Sequence, residues 1–436
     1  MKVLVRPASG LRGRFEVPGD KSISHRAAII GALASGPTEI TGYLEAEDCL
    51  GTLRLLSALG VEITRKGPGH YLIAGAGLDG LKEPEDVLDL GNSGTTARLA
   101  LGFLAGQPFW SVLTGDESLR RRPMRRVAEP IRRMGALVVG RSDGGRLPLA
   151  VRGSRPLKSI RYQSPVASAQ VKSALLLAGL YADGPVTVEE PTRSRDHTER
   201  MLRAFGAALR SDGKAVTLTP GRELAGRPVR VPGDFSSAAF FLVGGLIVPD
   251  SELLVPGVGV NPTRTAAVEL LREMGARVGE SNHEEGDEPT GTLQVESSPL
   301  RGVSVNGAQI PKLIDEIPVL AVAAACAEGV TEVRDAAELR VKESDRVHAL
   351  VSELGKLGVR IEERADGFLI RGGAPLRGAV VRSWGDHRMA MALIIAGLVA
   401  AGQTVVEDVG CIAISYPDFL PTLERLVGAP CLSVLA

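Results

Sequence analysis

The sequence has no excess of charge of either sign: 51 lysines and arginines stand against 51 aspartates and glutamates in 436 residues. A balanced total gives no support to a nucleic-acid or membrane-surface role, and leaves a local basic cavity open. Cysteine is scarce. Cys49, Cys326, Cys411 and Cys431 form no CxxC pair and no metal-ligand spacing, which excludes a disulfide scaffold and a structural zinc site and points to reduced thiols. Long apolar runs are missing as well, since the two longest, Phe235 to Val248 and Met389 to Gly402, fall short of the roughly 20 residues that span a bilayer. The start, Met1 to Pro7, has no signal-like apolar stretch, so the expected location is the cytoplasm. Lysine is rare among the cations, 10 against 41 arginines, and arginine is the planar, bidentate donor suited to phosphate and carboxylate.

What is present is ordinary globular material, 44% apolar and 23% charged, enough at about 150 residues per domain for two or three domains. Glycine is the excess: 52 residues, about 12% where about 7% is usual. A repeat accounts for many of them. Six amphipathic segments end in a bulky residue, a glycine and a β-rich run, with the glycines at 60, 135, 206, 275, 358 and 428. Each glycine is the expected helix C′ residue, where positive φ costs nothing without a Cβ. Each repeat also carries a second helix, apolar nearly all round and therefore buried, such as Ile23 to Ala34, Ser168 to Tyr181 and Ile317 to Ala327. The residues thus read as strand, buried helix, strand, exposed helix, strand, about 70 residues long and present six times. The phrase Val17-Pro18-Gly19-Asp20 recurs as Val231-Pro232-Gly233-Asp234 before the fourth buried helix, which suggests two homologous halves of three repeats and a chain that crosses between them twice.

Unusual residues gather at the starts of the buried helices, where unpaired N–H groups and the helix dipole favour anions. Lys21, Ser22 and Arg26 lie at the first, Gly91-Asn92-Ser93-Gly94-Thr95-Thr96-Ala97-Arg98 at the second, and Ser168 and Gln170 at the third. Each alone could be a plain N-cap; three together suggest phosphate chemistry. Arg120 to Arg126 holds five arginines in seven residues, and Lys342 and Arg346 are four apart with Glu343 between them, on one face if that segment is helical. Asp315 and Asp386 open the fifth and sixth buried helices; near many cations such carboxylates are either caps or proton-transfer groups.

These motifs resemble the 5-enolpyruvylshikimate-3-phosphate (EPSP) synthase family: Pro18-Gly19-Asp20-Lys21-Ser22 with Arg26, Gly91 to Arg98, Arg121-Arg122-Pro123-Met124, Arg340 to Arg346 and Gly385 to Met391, in the family's order. The resemblance implies an α/β fold of two domains, an inverse α/β barrel built from six βαβαββ units. The first domain would span 21–232, and the second 1–20 with 233–436, joined by a two-strand hinge. It implies transfer of the enolpyruvyl group of phosphoenolpyruvate to the 5-hydroxyl of shikimate 3-phosphate, without metal or organic cofactor. A monomer that binds neither nucleic acid nor membrane is expected. On the family's pattern Lys21, Ser22, Arg26, Ser168, Gln170, Arg195, Asp315 and Lys342 match the shikimate 3-phosphate site, with Ser194 able to share the role of Arg195. Lys21, Gly94, Arg122, Gln170, Arg346 and Arg388 match the phosphoenolpyruvate site. Asp315, Glu343 and Lys21 are the expected catalytic groups, Glu343 delivering a proton to C3 and Asp315 handling the hydroxyl.

Departures from the pattern point to the family's second class: Leu99 follows Arg98 where one branch has proline, Ala169 replaces a serine, and Arg195-Asp196-His197-Thr198-Glu199 is present. Ile414 stands where many relatives carry a lysine, so one phosphoenolpyruvate contact is missing or supplied elsewhere. Gly94, lacking a Cβ, leaves space for inhibitors slightly larger than phosphoenolpyruvate, such as glyphosate. Two other readings compete. The sister enzyme that acts on a UDP-amino sugar typically carries a reactive cysteine in the segment matching Leu113 to Arg126, where this chain has none. A nucleic-acid-binding scaffold is disfavoured by zero net charge and by cations scattered over six helix starts.

Overall fold

Every glycine that ends an exposed helix stands at positive φ: 84° at Gly60, 105° at Gly135, 100° at Gly206, 96° at Gly275, 88° at Gly358 and 69° at Gly428. A Cβ would be strained at each, so six glycines of the surplus are explained by backbone geometry. The computed structural model describes residues 1–435, and the chain falls into two units, Gly19–Val231 and Met1–Pro18 with Pro232–Ala436.

Within each unit the same element set occurs three times. A short edge strand lies parallel to the strand that follows the core helix, and that strand pairs with one member of an antiparallel pair, a hairpin in five of the six sheets and the two chain ends in the sixth. In the first repeat Val229–Arg230 pairs parallel with Ser35–Thr41, whose other edge faces His70–Ala76, paired in turn with Ile63–Gly67. In five repeats the exposed helix is therefore followed by two strands, where the residue pattern alone suggested one, and in the sixth the second strand comes from the N-terminus; the six sheets have four strands each, as the βαβαββ unit requires. Three of the turns have only two residues, Pro68-Gly69, Gly213-Lys214 and Ala365-Asp366, and there the second strand is hidden in one continuous β-rich run. The N-terminal segment belongs wholly to the second unit. Lys2–Val5 pairs with Thr404–Glu407 and Leu432–Leu435, and Arg12–Arg14 with Glu252–Gly259.

The core helices are Lys21–Leu33, Gly94–Leu104 and Ala169–Gly179 in one unit, and Phe235–Ile247, Ile317–Cys326 and His387–Gly397 in the other. From Ile23 onward every residue of the first is buried, in keeping with an apolar surface all round. Five of the six begin on a side-chain cap, Asp20, Ser93, Ser168, Asp234 and Asp386 accepting backbone N–H groups of the first turn. Such caps satisfy donors that would otherwise be orphaned at a buried helix start, each stabilising by about 1 kcal/mol. The second and third helices touch backbone to backbone. A Cβ on Gly102 would lie 2.3 Å from the Ala174 carbonyl oxygen. Each unit has its own apolar core; that of the second includes a ring cluster in which Phe241 packs 5.3 Å from Phe419 and 4.7 Å from Phe15. Among the described residues no helix is long and apolar enough to cross a membrane.

Candidate active site

In the Gly19–Val231 unit the starts of the three core helices are stitched together by polar side chains. Lys21 Nζ lies 3.3 Å from the Asp48 carboxylate. Arg26, buried, donates to Thr198 Oγ1 at 2.6 Å, to Ser173 Oγ at 2.8 Å and to the Ser22 carbonyl at 2.9 Å, bracing the first helix against the third and against His197–Ala204. A second line runs from His25 Nδ1 to Thr52 Oγ1, on to Thr96 Oγ1 and then to Ser93 Oγ, each step 2.7 Å. Burial, and then the Lys21 and Arg26 charges, hold the His25 imidazole well below its ordinary pKa. It is therefore neutral and stitches without adding charge.

Around Gly94 the geometry is tight. The fully buried Arg98 donates to the Gly94 carbonyl at 3.2 Å, to Gln170 Oε1 at 2.7 Å and to the Pro123 carbonyl at 3.0 Å, while Gln170 Nε2 donates to Thr95 Oγ1 at 3.0 Å. A Cβ at Gly94 would come within 2.8 Å of Arg122 Cζ and of Arg98 Nη1. Of the arginine run, Arg120, Arg121 and Arg125 are exposed, whereas Arg122 is buried against this helix start. Arg126 is half-buried, so the run turns Arg122 and part of Arg126 inward from a stretch whose other three arginines are solvated. Ser168 caps the third helix. Arg195 is half-buried, next to Ser194, whose hydroxyl donates to Glu190 at 2.6 Å.

The second unit carries the carboxylates. Arg346 is fully buried. Its Nε meets Asp386 Oδ2 at 2.7 Å and its Nη2 meets Asp386 Oδ1 at 3.2 Å and Glu343 Oε2 at 2.7 Å, while Nη1 lies 3.7 Å from Asp315 Oδ1. Burial alone would lower this guanidinium's pKa; Asp386, Glu343 and Asp315 outweigh it and raise the value, so the charge is permanent. Arg388 reaches Asp315 twice, through Nη2 to the carboxylate at 3.5 Å and Nη1 to the carbonyl at 3.1 Å. Asp315 is therefore no helix cap: its carboxylate faces two arginines. Asp386 is both cap and ion partner, accepting the Arg388 N–H at 2.9 Å. The turn that delivers Asp386 and Arg388 is pinned by Glu353, which accepts from the Arg382 N–H at 2.9 Å and from Trp384 Nε1 at 3.0 Å.

A family model for EPSP synthase (3-phosphoshikimate 1-carboxyvinyltransferase) matches residues 5–423. The chain belongs to the EPSP synthase family. It is 56% identical over 427 residues to the 3-phosphoshikimate 1-carboxyvinyltransferase of Desulforudis audaxviator, covering 98% of this chain and 99% of that one. A Synechococcus protein of the same name is 57% identical, with 97% and 96% covered. A solved EPSP synthase from Acinetobacter baumannii is 42% identical with a TM-score of 0.88, each chain covered in full. The two-domain inverse α/β barrel expected from the motifs is the fold of the family.

Within this EPSP synthase fold the expected site residues fall into two sets. Lys21, Ser22, Arg26, Gly94, Arg122, Ser168, Gln170 and Arg195 lie at the core-helix starts of one unit and its Thr192 to His197 loop; Asp315, Lys342, Glu343, Arg346 and Arg388 lie in the other. Lys342 and Arg346 do not share a helical face. The helix begins only at Arg346, Asp345 caps it, and Lys342 sits in extended backbone pairing with Glu338 at 3.5 Å. Arg98, Asp48, Lys172 and Glu190 were not among the expected site residues. Arg98 had a readable signal, one helical turn after Gly94 in the same motif. No cysteine lies near these residues in sequence save Cys49, and burial pushes the Cys326 and Cys411 thiols up to about 12, which makes them poor nucleophiles.

Proposed function

We propose that the two residue sets serve one substrate pair, the unit with Lys21, Ser168 and Arg195 holding shikimate 3-phosphate and the arginines Arg122, Arg346 and Arg388 holding phosphoenolpyruvate. The reaction of the family is transfer of the carboxyvinyl group from phosphoenolpyruvate to the 5-hydroxyl of shikimate 3-phosphate, with release of phosphate, a step of the shikimate pathway. The observation that carries the assignment is Arg346, buried and shared by Asp315, Glu343 and Asp386. It fixes Glu343 and Asp315 as groups for the two proton transfers, and Arg388, which also reaches Asp315, adds a second positive charge for an anionic substrate.

The chemistry runs by addition and elimination. Loss of the 5-hydroxyl proton, assigned to Asp315 with help from Lys21, lets that oxygen attack C2 of phosphoenolpyruvate while Glu343 gives a proton to C3. In the resulting tetrahedral intermediate Glu343 takes a proton back from C3, the C2–O bond to phosphate breaks, and phosphate leaves with the proton that Asp315 took from the hydroxyl and with its remaining charge held by the arginines. Lys342 is assigned to the ring hydroxyls, and Gln170 to both substrates through the amide that Arg98 orients. We read the enzyme as cytoplasmic and monomeric, with no nucleic-acid partner; cysteines with no disulfide among the described residues suit a reducing compartment. The test is phosphate release from phosphoenolpyruvate with each acceptor: shikimate 3-phosphate should support turnover, and a UDP-amino sugar should give none. Turnover with the UDP-sugar alone would reverse the assignment.

Gly94 provides a sharper check on the phosphoenolpyruvate set. In Gly94→Ala the methyl group must push the Arg122 or Arg98 guanidinium aside, and both arrangements disturb anion binding. The expected result is a rise of about 10-fold in KM for phosphoenolpyruvate, with KM for shikimate 3-phosphate changed far less, and weaker inhibition by glyphosate. An unchanged inhibition constant would remove Gly94 from the inhibitor's path.

A further inference from the structure

We propose that Glu190, with Lys172 as its counter-charge, is the positioning residue for the phosphate group of shikimate 3-phosphate, setting from behind both chain segments that hold it. The inference rests on the assignment of Ser168 and Arg195 given above.

Glu190 follows the strand Val186–Glu189 and is buried. Four donors from two segments fill its carboxylate. Oε1 accepts the Ser168 N–H at 3.1 Å and the Ser194 hydroxyl at 2.6 Å; Oε2 accepts Lys172 Nζ at 2.8 Å and the Ser194 N–H at 3.3 Å. Ser168 caps the third core helix, and Ser194 immediately precedes Arg195. One side chain thus fixes the spacing of the helix start and the arginine segment. An ionised carboxylate can do this because it only accepts, through about four lone-pair sites. An amide of the same size would turn an NH2 toward one of the two donor pairs.

A negative charge behind an anion site is costly unless cancelled, and Lys172 cancels it. Its ammonium is buried on the same helix, one turn after Ser168, and also touches Glu199 Oε1 at 2.7 Å. Burial raises the Glu199 carboxyl against the pull of Lys172, so the lysine, 2.8 Å from Glu190 and 2.7 Å from Glu199, is shared between the two. Every contact in this cluster lies within one unit.

The test uses the full-length protein, with binding of shikimate 3-phosphate measured by calorimetry and KM measured for each substrate. Glu190→Gln should weaken shikimate 3-phosphate roughly 10-fold or more, the scale of buried hydrogen bonds lost to a charged acceptor, while binding of unphosphorylated shikimate and KM for phosphoenolpyruvate stay within about threefold. Lys172→Met with Glu190→Gln removes the charge pair together and should not restore affinity. Restoration to within about threefold of wild type would mean charge balance alone, and overturns the positioning role. So would equal losses for shikimate and its phosphate. If Glu190→Gln does not fold, Glu190→Asp keeps the charge but is one carbon too short to reach both segments, and should weaken shikimate 3-phosphate several-fold by the same selective pattern; no selective loss overturns the inference. Ser168→Ala and Arg195→Ala run alongside. If those two bind shikimate 3-phosphate like wild type, the underlying site assignment fails; if they weaken it and Glu190→Gln does not, only the positioning role fails.

Discussion

Glu343→Gln should lower kcat by about 100-fold or more, the usual scale of general acid–base catalysis, with KM for phosphoenolpyruvate changed only a few-fold. The split follows from the contact the side chain makes. Glu343 Oε2 accepts from Arg346 Nη2 at 2.7 Å, and a glutamine carbonyl can accept the same bond, so the arginine keeps its place and substrate binding survives. What the amide cannot do is give up and recover a proton. In deuterated water the wild-type reaction should carry deuterium into the C3 methylene, because the proton added there comes from a group in exchange with solvent. The variant should lose that incorporation in step with kcat. Near-normal turnover with normal deuterium uptake and unchanged fold would take Glu343 out of the mechanism and leave Asp315, which lies 3.7 Å from Arg346 and 3.5 Å from Arg388, as the group to examine next.

The two carboxylates illustrate what can be read from residues and what cannot. The repeat was legible because helix termination is local chemistry: a glycine at C′ answers a backbone demand whatever the rest of the fold does, and all six glycines stand at positive φ. The same locality left Ser93 and Ser168 readable as caps, which they are. Asp315 was ambiguous between cap and functional group because its partners are remote, Arg388 being 73 residues away, and only packing brings them together. Lys342 and Arg346 misled in the opposite way. Their spacing fits a helix, but Asp345 accepts the His348 N–H at 3.0 Å and starts the helix after Lys342, so the four-residue interval spans a loop. The pairing of Lys172 with Glu190 was invisible for a different reason. A lysine inside an apolar helix carries no sign of what neutralises it, and its two carboxylates come from a strand end and from another helix.

Arg346→Met should destabilise the protein by about 3–5 kcal/mol, the cost of breaking a buried ion pair by removing one partner, and abolish most activity with it. Methionine has nearly the right volume, so the loss is electrostatic rather than a cavity. Asp386, whose side chain is fully buried, would keep the Ser344 hydroxyl at 3.2 Å and the Arg388 N–H at 2.9 Å but lose its bidentate cation, and Glu343 would lose its bond as well. Urea unfolding of wild type and variant at pH 7.5 should show the deficit directly, as a lower midpoint with an unchanged slope. Arg346→Lys, which keeps a charge but not the planar fork that meets three carboxylates, should fall between the two at pH 7.5. A deficit below about 1 kcal/mol, well short of the usual cost of breaking a buried pair, would mean that the carboxylates find other partners and that Arg346 is not what holds them together.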